Sequence, residues 1–204
     1  LLDGQTDALT LSLRYGLPQQ WDVEVTVPWR HYSGGVTDNL ISSWHRLFGL
    51  PDGNRHGYPT DALHYQLSQP GHDRHLLRSV SGLGDIHVAV SRPLLAIDGG
   101  QLGISAGVKT ANGRASDWLG SGATDIYALL RFSGQQLGGR PLWWHGQVGG
   151  TRAGNSNLLG PHQRRSLWFA GLAAEWRFTP RWSALMQYDG HSCLLYTSPS
   201  PRDL

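Results

Sequence analysis

Residues 21–30 read WDVEVTVPWR. Trp21, Val23, Val25, Val27 and Trp29 share one parity, and Asp22, Glu24, Thr26 and Arg30 take the other, with Pro28. A β-strand turns successive side chains to opposite faces. This segment therefore has an apolar face with a tryptophan near each end, backed by a face that carries charge.

The same period of two runs outward in both directions. Residues 8–17 set Leu9, Leu11, Leu13 and Tyr15 against Thr10, Ser12 and Arg14. Residues 85–96, 101–109, 124–133, 141–150, 166–178 and 182–189 alternate in the same way, so eight strands are expected. Asp98-Gly99-Gly100 reads as a hairpin turn. The connections after 17, 97, 133 and 178 are short, and those after 32, 110 and 150 are long. With 62–80 taken as an excursion inside the first long connection, short and long alternate along the chain.

Sorting of loops by end is the habit of outer-membrane barrels, which have tight turns on one side and long loops on the other. Trp21 and Trp29 are eight residues apart, as are Trp168 and Trp176. Eight residues rise ~26 Å along a strand, and a tilt of ~40° brings this near the ~25 Å apolar band between aromatic girdles. An indole ring suits that boundary, with an apolar body and an N–H that needs a polar partner. Trp21, Trp29, Trp168, Trp176, Trp182 and Tyr188 are the expected girdle. The opposite parity would line a polar lumen: Asp22, Glu24, Arg30, Lys109, Asp125, Arg131, His145, Gln147, Glu175 and Arg177. Asp125 with Arg131, and Glu175 with Arg177, are expected to pair there as a charge ladder. The expected fold is all-β, an antiparallel up-and-down transmembrane barrel. A half-buried strand of a soluble sandwich gives the same alternation, so that architecture stays open.

Composition narrows the function classes. No apolar run approaches the ~18–20 residues of a membrane helix. The formal net charge is +2 and the arginines lie singly, so nucleic acid is not an expected partner. Cys193 is the only cysteine, which excludes an intramolecular disulfide framework and a CxxC metal site. His45, Asp52, His56, Asp61, His64, His72 and His75 scatter through one loop region without metal-ligand spacing, so neither metal nor cofactor is expected. Gly120-Ser121-Gly122 lacks the lysine and helix of a phosphate loop. Asp38 or Asn39 is expected to cap a short helix running to about Phe48, with Ile41, Trp44, Leu47 and Phe48 on one face, over the barrel mouth or in the membrane interface. Gly49-Leu50-Pro51 ends it.

The segments LDGQT (2–6), LRYGL (13–17), DNLISSWHRLFGLPDGNR (38–55), GLGDIHVAV (82–90) and GVKTANG…GSGATD (107–125) resemble an uncharacterised proteobacterial family of outer-membrane proteins, a domain of unknown function. The glycine pieces are also similar to outer-membrane proteins encoded with meta-pathway phenol-degradation genes. The resemblance spans about 2–192. It implies location in the bacterial outer membrane, a signal peptide, and strands beyond both ends of this chain. It implies no activity. The final CLLYTSPSPRDL, 193–204, resembles translated sequencing-adapter read-through, so residues 1–192 are read as a partial barrel domain and 193–204 as a non-native tail.

The expected role is that of a passive channel or transporter of small solutes, bounded by outer-membrane lipid and capped by the 33–80 insertion. Two alternatives remain. His31 and Ser33 stand two apart on the apolar parity, as in a lipid-modifying outer-membrane hydrolase, where a third group must orient the histidine. The other alternative is a soluble β-sandwich binding module.

Overall fold

The computed structural model describes residues 2–51, 59–69, 71–97, 99–136 and 139–194. The strands are β1 (Leu2–Asp3), β2 (Gln5–Gly16), β3 (Asp22–Ser33), β4 (His64–Gln69), β5 (His72–Leu76), β6 (Val80–Leu83), β7 (His87–Ile97), β8 (Gly100–Lys109), β9 (Asp125–Gly134), β10 (Leu142–Arg152), β11 (Ser166–Thr179) and β12 (Trp182–His191), with one α-helix, α1 (Asp38–Phe48). The main sheet runs β12-β11-β10-β9-β8-β7-β3-β2, with β6 also paired to β3. Every pairing in it is antiparallel. All eight expected strands are present and lie in sequence order. The hairpin turn expected at 98–100 falls partly outside the described residues, as does all but the first two residues of the 193–204 tail.

The sheet is open, with β2 and β12 at its edges and no pairing between them among the described residues. It is nonetheless rolled. Arg14 on one edge strand and Gln187 and Asp189 on the other line a single cavity. Four connections at one end are tight: β2–β3, β7–β8, β9–β10 and β11–β12. The long connections leave β3, β8 and β10 at the other end.

Pro28 marks where β3 changes partner. Residues 22–26 pair with β7 and residues 29–32 with β6. The Pro28 carbonyl accepts a bond from the Gly84 N–H at 2.8 Å. A strand residue's N–H and C=O point to the same side, so the donor that proline lacks faces the break at 84–86, where no ladder bond is needed.

The buried apolar core is not within the sheet but at its loop end. Tyr32, Leu63, Tyr65, Leu76, Val80 and Leu119 form it, with Trp118 against them. β1, β4 and β5 make a small second sheet there. Tyr32 and Val80 stand on the charged parity of β3 and β6, so the cluster sits on the concave side. On the far side the hairpin is tied to the 153–165 connection: the His72 ring nitrogen Nε2 bonds the Leu158 carbonyl at 2.9 Å, and Arg74 donates to the Asn157 carbonyl at 3.2 Å. The β4–β5 hairpin thus bridges the loop end of the rolled sheet as a roof.

Helix α1 starts at Asp38, but neither expected cap serves. Thr37 occupies the cap position without a side-chain bond. The Asp38 carboxylate instead accepts the backbone N–H of Asp61 at 2.8 Å, which anchors the helix start to the returning chain. Gly49 ends it in the left-handed conformation at φ 64°. None of its described residues is buried. The Trp44 and Phe48 rings meet tilted, 4.5 Å between centres, and Trp44, Leu47 and Phe48 remain exposed, with Ile41 half-buried beside them. Of the two expected placements of α1, that over the mouth is not found among the described residues, where the roof is built from β4 and β5.

Candidate functional site

The concave face encloses a cavity of about 490 Å³. Of the expected lumenal residues, Asp22, Arg131, His145 and Gln147 line it. Arg14, Ser91, Gln101, Ser133, Gln187 and Asp189 join them, on the same alternation but not singled out by it. Gly103 and Gly171 leave bare backbone in the wall.

The charges on this face are organised locally. Arg14 reaches across from β2 to bond Glu24 at 2.9 Å and lies 3.4 Å from Asp22. Arg177 pairs with Glu175 at 3.0 Å, as expected, and lays its guanidinium 4.3 Å from the centre of the Trp143 ring. The expected Asp125–Arg131 pair does not form. Six residues apart on one strand, the two stand ~20 Å from one another. Arg131 instead donates to the Ser91 hydroxyl at 2.8 Å and to Ser105, and Ser105 donates to Ser91 at 2.7 Å. Ser91 and Ser105 are only 6% and 4% exposed, so the guanidinium is held by two fixed hydroxyls. Arg30 shares this face at the level of Gly82.

Lys109 and Asp125 belong to a separate clasp at the loop-end rim. The Lys109 ammonium bonds Asp85 at 2.7 Å, Ser121 Oγ at 2.5 Å and the Ala123 carbonyl at 2.8 Å, and lies 3.3 Å from Asp125. Asp85 also accepts the backbone N–H groups of Gly113 and Ser121, each at 2.9 Å. Asp125 accepts the Gly154 N–H at 2.9 Å, which carries the clasp into the next long connection. Burial acts to raise the Asp85 pKa. The Lys109 side chain and the Ser121 and Gly113 N–H groups outweigh it and hold the carboxyl below the usual aspartate value. With its donors and acceptors satisfied internally, the clasp shapes the 110–124 connection and leaves no position for a phosphate at Gly120-Ser121-Gly122. Asp85 was not among the expected site residues. Its signal was the chain's one lysine, a residue that when buried must find a carboxylate.

The glycines of the GLGD piece are explained by close packing here. A Cβ on Gly82 would come within 2.9 Å of Leu119 Cδ1, and one on Gly84 within 3.0 Å of the Leu119 carbonyl. Only bare backbone lets the 110–124 connection settle over the break between β6 and β7.

The convex face carries the apolar parity, and it is exposed. Trp29, Trp168, Trp176 and Trp182 are exposed on it, while Trp21 is half-buried with the Arg92 guanidinium 5.5 Å from its ring. Trp21, Trp176 and Trp182 lie toward the turn end, Trp29 and Trp168 toward the loop end. Tyr188 is exposed as well, but it opposes Leu172 in mid-strand rather than sitting at a boundary.

His31 and Ser33 are not brought together for chemistry. The His31 ring stacks on Trp29 at 6.2 Å, and the Ser33 hydroxyl accepts the Gly35 N–H at 3.2 Å. Among the described residues no group of three potential ligands could hold a metal ion. The His45 ring bonds the Pro51 carbonyl and His72 serves the roof, while Asp52 and His56 lie outside the described residues.

The profile of a family described as "Protein of unknown function (DUF3187)" matches residues 1–200, and the chain belongs to that family. No curated protein matches it.

Proposed function

We propose that this member of the family is an outer-membrane β-barrel protein whose strands span the bilayer and whose polar interior carries small solutes beneath the roof made by β4 and β5. The observation that carries this reading is the inversion of the sheet. Leu13, Leu130, Val148, Trp176 and Met186, on five different strands, are 39% to 70% exposed, while the charged parity faces the cavity. A sheet that works in water covers its apolar face with a second layer, as the sandwich alternative requires. No described element covers this one, and lipid is the medium that would. The tryptophans toward each end and the sorting of tight turns from long connections support the same reading. The rolled edges of β2 and β12 are where the wall is completed.

The test is fractionation of the full-length protein from its native host. It should sediment with outer membranes, resist extraction by high salt, and run as a compact, heat-modifiable band on a denaturing gel. Recovery of the folded protein in the soluble fraction would contradict the proposal.

A further inference from the structure

Three charged side chains that line the cavity have no ion-pair partner among the described residues: Arg92 on β7, which lies over the Trp21 ring, Arg131 on β9, and Asp189 on β12, whose carboxylate accepts the Gln187 amide at 2.6 Å. The nearby carboxylates Asp22 and Glu24 are both held by Arg14. Arg131 is drawn toward β7 and β8 by Ser91 and Ser105. Asp189 lies on the other side of its strand. It opposes Gly171, which opposes Gln147, which opposes Arg131, so the four form one row across β12, β11, β10 and β9. A Cβ on Gly171 would come within 2.7 Å of Asp189 Oδ1 and 3.6 Å of Gln147 Nε2. The missing side chain therefore lets the carboxylate and the amide lean over the Gly171 position.

The cavity thus keeps a positive pole over β7–β8 and a negative pole over β11, with an amide between them. Three strand spacings separate the Cα atoms of Arg131 and Asp189, ~14 Å along the sheet. A ligand of one sign meets only one of these poles. A ligand with both signs, set several bonds apart, makes a charge-assisted hydrogen bond at each end. About 490 Å³ is ample for a few residues of peptide. We propose that the cavity binds short zwitterionic peptides, with the carboxylate on Arg131, the ammonium on Asp189 and the backbone amides against Gln147. This deepens the solute-carrying reading and rests on it.

The test uses the full-length protein folded in lipid nanodiscs, titrated calorimetrically with triglycine and with its uncharged analogue N-acetyl-triglycinamide. Triglycine should bind at least about tenfold more tightly. R131Q and D189N should each abolish the difference, and R131K and D189E should each retain part of it, which separates a charge effect from misfolding. Equal affinity for the two peptides, no binding of either, or unchanged preference in R131Q would overturn the proposal. Tighter binding of N-acetyl-triglycine, which carries only the carboxylate, would overturn it in favour of an anion site. Liposome swelling in a neutral sugar reads the solute pathway separately. Sugar entry without peptide discrimination removes the site and leaves the pathway. Peptide binding without sugar entry removes the pathway and leaves the site.

Discussion

Lys109 ties together the segments that meet at the loop-end rim. Its side chain is 13% exposed and that of Asp85 is 6%, so removing the ammonium leaves a buried carboxylate with only neutral donors, two N–H groups and the Ser121 hydroxyl, and a second carboxylate, Asp125, without its cation beside it. Breaking one side of such a pair typically costs about 3 to 5 kcal/mol. K109M should lose stability of that order in guanidinium unfolding followed by tryptophan fluorescence. The acid response has a definite sign. The folded Asp85 pKa lies below its unfolded value, so the ionised form stabilises the fold above the unfolded pKa. That contribution is lost as the pH falls below ~4 toward the lower folded value. The unfolding midpoint should therefore fall more steeply below that pH in the parent than in D85N, measured side by side.

At the scale of elements, the sheet's two faces make opposite demands. Leu172 on β11 points outward and is 49% exposed. Against lipid near mid-membrane, L172R should cost about 2 to 4 kcal/mol. On a water-facing surface the same change stays within about 0.5 kcal/mol. Unfolding of the variant in lipid vesicles distinguishes the two.

The strands were legible because each carries its alternation over eight or more residues. Even the 12-residue β3, whose proline reads as a breaker, kept its pattern through Pro28. What could not be read were features made by residues distant in sequence. The Asp38 carboxylate looked like a local cap and was claimed by Asp61, 23 residues on. Asp125 and Arg131 looked like neighbours on a face, yet their separation along the strand sent each to a partner on another strand or loop. Asp85, Lys109 and Ser121 meet only after three segments fold together. The parity of Asp189 was plain, but its place in a row with Arg131 depends on register across four strands, and no single segment contains that.

For the molecule as a whole, the buried apolar core lies at one end while the large sheet holds its apolar side chains outward. The roof explains how the loop end is stabilised: Tyr32, Tyr65, Leu76 and Leu119 give it a core of its own, and His72 and Arg74 fasten it to the opposite connection. The rest of the sheet depends on what surrounds it. That dependence is the central claim, and the adjacent positions Leu172 and Ala173 on β11 test it most directly. Nitroxides placed singly at these two sites in the full-length protein in lipid vesicles would be relaxed either by molecular oxygen, which concentrates in the bilayer, or by a water-soluble nickel complex. Relaxation by oxygen at Leu172 and by nickel at Ala173 is the predicted result. Relaxation of the Leu172 nitroxide by nickel, with the alternation lost or reversed, would contradict the account.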